Sequence, residues 1–206
     1  MPHDGHLNSA KLIAFCASTA VLFLLLQTVP SPNNNEAELI QKIEANGGKI
    51  YRIRAGTPDQ DGWYEAESTH RHFKVRLPAQ FNDFMLKEKN GTVVEVTVVG
   101  TSTPDNTKWT ATLVTYKDAA LAKKYFDEYW NHVPRGAATQ NLNFQGHPAK
   151  ETWIKGTLRS LTIRNVWIGN EQYLLMVEYD APRNLEKDIV KFFNSLELPP
   201  PLSDKR

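Results

Sequence analysis

Two imidazoles stand two residues apart in His70-Arg71-His72. In an extended strand alternate residues share a face, so both rings could reach one metal ion. A third or fourth ligand would come from His132, His147 or a carboxylate. The same alternation continues through Lys74 and Arg76, whose charges would repel a metal, so the segment also reads as a solvated cationic strand face. Glu65 and Glu67 have the same spacing. They could form the carboxylate pair of general acid–base chemistry, or simply an exposed strand face.

Other signatures of chemistry are missing from the sequence. It holds no G-x-S-x-G, no G-x-x-x-x-G-K-[ST] and no G-x-G-x-x-G, and its one cysteine, Cys16, lies inside an apolar run. That cysteine follows Phe15, with only Leu12–Phe15 of the run before it, which does not suit a lipid-attachment site. Outside it the chain has no cysteine, so no internal disulfide can form. The expectation is therefore no metal and no cofactor.

Tryptophan is frequent: Trp63, Trp109, Trp130, Trp153 and Trp167. Trp130 falls on a helix stripe, and Trp153 and Trp167 on strands, so these read as core. Trp63, beside Tyr64 after the loop GTPDQDG, is the best candidate for an exposed tryptophan, a residue enriched in binding surfaces, with the core as the alternative. Trp63, Tyr64, His70, His72 and Arg76 are thus the candidate ligand- or partner-binding residues. Asn90-Gly91-Thr92 matches a glycosylation sequon and, more simply, a hairpin turn.

The elements that must position these residues follow an N-terminal address. Leu12–Val29 is uncharged and ends at Pro30. As a helix it would span about 27 Å, close to the hydrocarbon core of a bilayer. It reads as a membrane anchor, with a cleaved signal or a buried core helix as alternatives. The cleavage site is poor because Pro32 follows Ser31. Either extracytoplasmic reading places the rest of the chain outside the cytoplasm. The organisation read from the sequence is a short cytoplasmic N-terminus over 1–11, the anchor or signal over 12–29 and a linker over 30–36. A helix–strand lead-in over 37–61, a main domain over 62–198 and a tail over 199–206 follow. Net charge is +1 over 206 residues. Nucleic-acid-binding domains show a strong basic excess, so nucleic acid is not the expected partner.

Apolar spacing predicts a helix over Glu36–Asn46, a strand over Lys49–Arg54 and a strand over His70–Leu77. Asp83–Lys89 and Thr92–Val99 are expected to form a hairpin across Asn90-Gly91. A strand over Thr110–Tyr116 and a helix from Asp118 to about His132 follow. Four strands are expected over Thr139–Phe144, Ala149–Lys155, Ser160–Ile168 and Gln172–Tyr179. The last is apolar on both faces, so it should be central. A helix near Asn184–Leu196 closes the domain. The expected fold class is α+β: a mostly antiparallel sheet packed between helices, preceded by one transmembrane helix.

HFKVRLPAQF (72–81), GHPAKETWI (146–154), YLLMVEY (173–179) and FFNSLEL (192–198) resemble landmarks of the PsbP-like family. The resemblance covers roughly residues 62–198 and implies an α/β/α sandwich. It implies binding or assembly support more than catalysis, and its shared motifs contain no catalytic residue to carry over. The anchored architecture looks most like the bacterial envelope members, apart from the missing lipidation cysteine. The expected function is a non-catalytic, membrane-tethered extracytoplasmic domain that binds a protein partner or supports an envelope assembly. A binder of a small ligand or cell-wall component is the first alternative, and a metal-dependent enzyme the second.

Overall fold

Segments rich in valine, threonine and aromatic residues, separated by turns bearing glycine, proline or asparagine, form the strands of this protein. The computed structural model describes residues 36–45, 47–87, 91–128 and 137–199. In chain order the elements are α1 (Glu36–Ala45), β1 (Lys49–Ala55), β2 (Tyr64–Glu67), β3 (Lys74–Leu77), β4 (Phe81–Lys87), β5 (Val93–Ser102) and β6 (Lys108–Tyr116). Then follow α2 (Ala119–Glu128), β7 (Ala138–Phe144), β8 (His147–Lys155), β9 (Arg159–Ile168), β10 (Glu171–Asp180) and α3 (Glu186–Asn194).

Eight strands form one sheet in the order β1-β4-β5-β6-β10-β9-β8-β7, and every neighbouring pair is antiparallel. As its two apolar faces require, β10 is central, with Gln172–Glu178 buried throughout. β4 and β5 pair as the Asn90-Gly91 signal predicts, from Asn82 opposite Gly100 to Lys87 opposite Glu95. β2 and β3 form a separate two-stranded sheet.

Each face of the large sheet has its own core. On the first, Phe81, Val99, Trp109, Leu113, Tyr173 and Leu175 meet Ala66, Phe73, Val75 and Leu77 from the β2–β3 segment and Ile189, Phe192 and Phe193 from α3. On the second, Phe84, Leu86, Val96, Val98, Leu174 and Met176 meet Ile43 of α1 and Ala122 of α2. Gly48 lets the chain leave α1 tightly against β4. A Cβ there would lie 2.6 Å from the Met85 carbonyl oxygen, a contact no side chain can make without a backbone shift.

The expected sandwich of a sheet between helices, led by a transmembrane helix, is corrected by this architecture. Among the described residues strands dominate, and the three helices are only 10, 10 and 9 residues long. Much of the cover on the first face is itself sheet. The segment from Trp63 to Leu77 lays its apolar side chains flat on the larger sheet, where a helix was expected. No helix among the described residues is long and apolar enough to cross a membrane. The run 12–29 with Cys16, together with Asn90, Trp130 and His132, lies outside the described residues.

Candidate functional site

The segment Ser68–Phe73 was expected to contribute to a strand from His70, but it is a turn, and β3 begins only at Lys74. Ser68 causes this. Its amide donates to the Phe73 carbonyl at 2.9 Å, its carbonyl accepts from the His72 amide at 2.9 Å, and its hydroxyl accepts from the Arg71 amide at 3.2 Å. These bonds close the chain on itself, and His72 takes up a left-handed conformation, φ 57°. His70 and His72 therefore do not share a strand face. His70 Nε2 lies 3.1 Å from both oxygens of Glu95, while the exposed His72 places Nδ1 3.2 Å from Glu67. No group of three His, Cys, Asp or Glu among the described residues is placed to hold a metal ion.

The turn sits over one end of the first face, where the large sheet carries acidic residues. Strand register puts Glu95 of β5 opposite Thr115 of β6, and Thr115 opposite Glu171 of β10, so these three form one row across the sheet. Arg71 bridges the row, with Nη1 3.1 Å from Glu95 and Nη2 hydrogen-bonded to Glu171. Tyr173 donates its hydroxyl to Glu171 at 3.1 Å. Burial, reinforced by the Glu171 charge, pushes the Tyr173 phenol well above its ordinary pKa, which keeps it a donor. Tyr51 of β1 stacks on the His70 ring, with centroids 5.8 Å apart.

Asp83 of β4 completes the cluster and is wholly buried. Its Oδ2 accepts from the Thr69 amide at 2.7 Å and lies 3.7 Å from Nε of Arg52, which itself donates to the Thr69 hydroxyl at 2.9 Å. Its Oδ1 has no hydrogen-bond partner. Burial pushes the carboxyl up, and the bonds from Thr69 and the Arg52 charge only partly counter it, so its pKa stands above the ordinary value. Asp83 therefore holds its proton more tightly folded than unfolded. Its stabilising contribution is complete below the unfolded value of about 3.9 and is lost as pH rises through the higher folded value. Asp83→Asn is expected to flatten that decline, read as urea midpoints of both proteins at about pH 3, 5 and 7. An unchanged decline would assign it to other groups.

Taken together, Arg52, Thr69, His70, Arg71, Asp83, Glu95, Glu171 and Tyr173 pin the β2–β3 segment to the sheet. In this arrangement the hydrogen bonds of the His70 ring go to Glu95, and Glu95 is also held by Arg71. The cluster joins elements far apart in sequence.

The remaining candidates are placed differently. Glu65 and Glu67 share a face and also share Lys74, whose Nζ lies 3.4 Å and 4.0 Å from them. The Glu65 charge raises the Lys74 pKa, as an ion pair requires. Trp63, the candidate for an exposed tryptophan, is 8% exposed and belongs to the core. It packs edge-on against Trp109 at 5.9 Å and under Lys191 Nζ at 4.5 Å. Tyr64 is half-buried against the same core. Arg76 is hydrogen-bonded to Asp59 and Asp61 of the preceding loop, and the Trp63 amide donates to Asp59 at 3.1 Å. Trp63 and Arg76 thus converge on Asp59, His70 belongs to the cluster above, and His72 stands outside both.

A second feature is the outer edge of the sheet. Phe144 and His147 flank a two-residue turn whose residues Gln145 and Gly146 both have positive φ, 51° and 87°. This is type I′ geometry, which favours a glycine and closes a tight hairpin. β7 then pairs with β8 over seven residues in unbroken register, from Ala138 opposite Trp153 to Phe144 opposite His147. Its sequence ATQNLNF carries no charge, and Ala138–Asn141 and Asn143 are exposed. The opposite edge, β1, carries Lys49, Arg52 and Arg54 and has two register irregularities, both common guards against edge pairing. Among the described residues no strand covers the outer side of β7. Sequence periodicity placed β7 as a strand but could not show that it would be an edge.

Comparison with protein-family models yields no match, and comparison with curated proteins yields none. The PsbP-like resemblance therefore rests on the four segments quoted above.

Proposed function

We propose that this protein is a non-catalytic extracytoplasmic domain, held at a membrane through residues 12–29, that binds a protein partner or supports an envelope assembly. The observation that carries the reading is β7, an uncharged and regular sheet edge with exposed side chains. Such an edge is a template for strand addition. The apolar run supplies the location, and the ion pairing among the chemically suggestive residues supports binding over turnover.

The test places a photo-crosslinking residue at Asn141 on β7 in the full-length chain. The control site is Leu158, which is 73% exposed in the β8–β9 turn. A defined protein adduct in native membranes from position 141 and none from 158 is expected. Substrate turnover by the purified full-length chain that depends on His70 or Glu95 would overturn the reading.

A further inference from the structure

Backbone geometry fixes what β7 can bind. In a two-residue type I′ hairpin the flanking residues exchange both backbone bonds, and bonded and non-bonded pairs then alternate along the ladder. Phe144, Leu142, Gln140 and Ala138 therefore direct their N–H and C=O groups to β8. Thr139, Asn141 and Asn143 direct theirs outward, to an edge that no described strand occupies.

We infer that the partner on β7 is a second copy of this chain, paired antiparallel about a two-fold axis at Asn141; this rests on the binding role proposed above. Asn141 is the midpoint of Ala138–Phe144. An axis there sets Asn141 opposite its own copy and Thr139 opposite Asn143 on both sides. All three outward-facing residues of each strand then exchange both backbone bonds with the other copy. No outward donor or acceptor is left over. Pattern self-complementarity of this kind is what an isologous contact needs. Charge is compatible as well. β7 brings no ionised group to its own copy, whereas a β1–β1 contact would bring Lys49, Arg52 and Arg54 against themselves. On the sheet face these residues share, Asn143 Oδ1 accepts from the Gly146 amide at 2.8 Å and the Thr139 hydroxyl lies 3.2 Å from that of Thr152, while the axis sets the Asn141 amide beside its own copy.

The register makes a sharp test, because a dyad at Asn141 places that residue against itself. Asn141→Lys and Asn141→Glu are made in the full-length chain and studied by sedimentation equilibrium in density-matched detergent. The wild-type chain is expected to reach twice its 23.4 kDa mass with rising concentration. Each variant alone should associate at least about tenfold more weakly, since like charges directly opposite are destabilising. An equimolar mixture should recover dimer, because Lys then faces Glu. A wild-type chain that stays monomeric, variants that dimerise as well as wild type, or a mixture that stays monomeric would each overturn the inference. The position-141 crosslink separates the two claims. An adduct of another mass, with no doubled chain, overturns self-pairing and leaves the binding role standing.

Discussion

Replacing Arg164 by alanine is expected to cost about 3–5 kcal/mol of stability. Arg164 of β9 and Glu151 of β8 lie opposite each other and are both buried. Nε and Nη2 of Arg164 each lie 2.7 Å from Glu151 Oε2, and Nη1 donates to Asn194 of α3 at 2.9 Å. The guanidinium carbon lies over the Phe144 and Phe193 rings, at 5.3 Å and 4.9 Å from their centroids. Truncation would remove both stacking contacts and the tie to α3. Most of the cost comes from Glu151, left charged and unpaired inside the protein. Replacing both residues together by methionine should recover most of the loss, since a buried pair contributes little more than well-packed apolar groups. Urea unfolding of the single and double variants measures this. A single-variant loss below about 1 kcal/mol would mean that Glu151 reaches water or another partner.

Phe192→Ala is expected to have a similar effect, about 3–5 kcal/mol. Phe192 has no exposed surface and stands edge-on to Trp109, with centroids 5.6 Å apart, and beside Phe193 at 5.7 Å. Deleting the ring leaves a cavity walled by the large sheet and the β2–β3 segment, both held too firmly by their ladders to collapse into it. Val190, two residues earlier on α3, is 47% exposed. Val190→Ala should change stability by no more than about 0.5 kcal/mol. Denaturation midpoints of the pair separate packing from helix propensity, because the same helix carries both. Equal losses would show that α3 contributes by its own helicity rather than by its aromatic face.

The strands and helices of this protein were largely legible in its sequence because periodicity is a local property. Asp118 before α2 shows this. The helix was expected to begin at Asp118, and its Oδ1 accepts from the Leu121 amide at 2.8 Å, as a helix-capping aspartate does. The double-sided apolar run at 173–177 placed β10 at the centre of the sheet, where it lies. The turn at Ser68–Phe73 was not legible as a turn. Phe73, Val75 and Leu77 alternate with His72, Lys74 and Arg76, and His70 extends that polar set, but the hydrogen bonds of Ser68 interrupt the strand there. The serine–threonine pair at 68–69 was the available signal. Trp63 was misplaced because an aromatic residue after a polar loop looks the same whether it turns outward or onto a neighbouring sheet.

The cluster at the end of the first face was less legible still. His70 was singled out, but its partner Glu95 is 25 residues away and Glu171 lies 100 residues from Arg71. Glu171 arrives only through the β6–β10 and β5–β6 registers. Asp83 looked like any polar residue in an alternating strand. Its burial follows from the turn above it, and that turn was itself missed. The same holds for Arg164 and Glu151, brought opposite each other by the β8–β9 hairpin.

The strand order also bears on how the chain is synthesised. β4, β5 and β6 emerge in the sequence order in which they lie side by side, and β7 to β10 do the same. The two series meet only where β10 joins β6. A ribosome-bound chain that has reached Asn170 already contains every described strand but β10. Its β6 edge, Lys108–Tyr116, cannot be paired in the mature register until Glu171–Asp180 has been made. Any product terminated before that point keeps a long, largely apolar edge open in the middle of what should be a continuous sheet. Such an edge is a template for aggregation and for capture by chaperones.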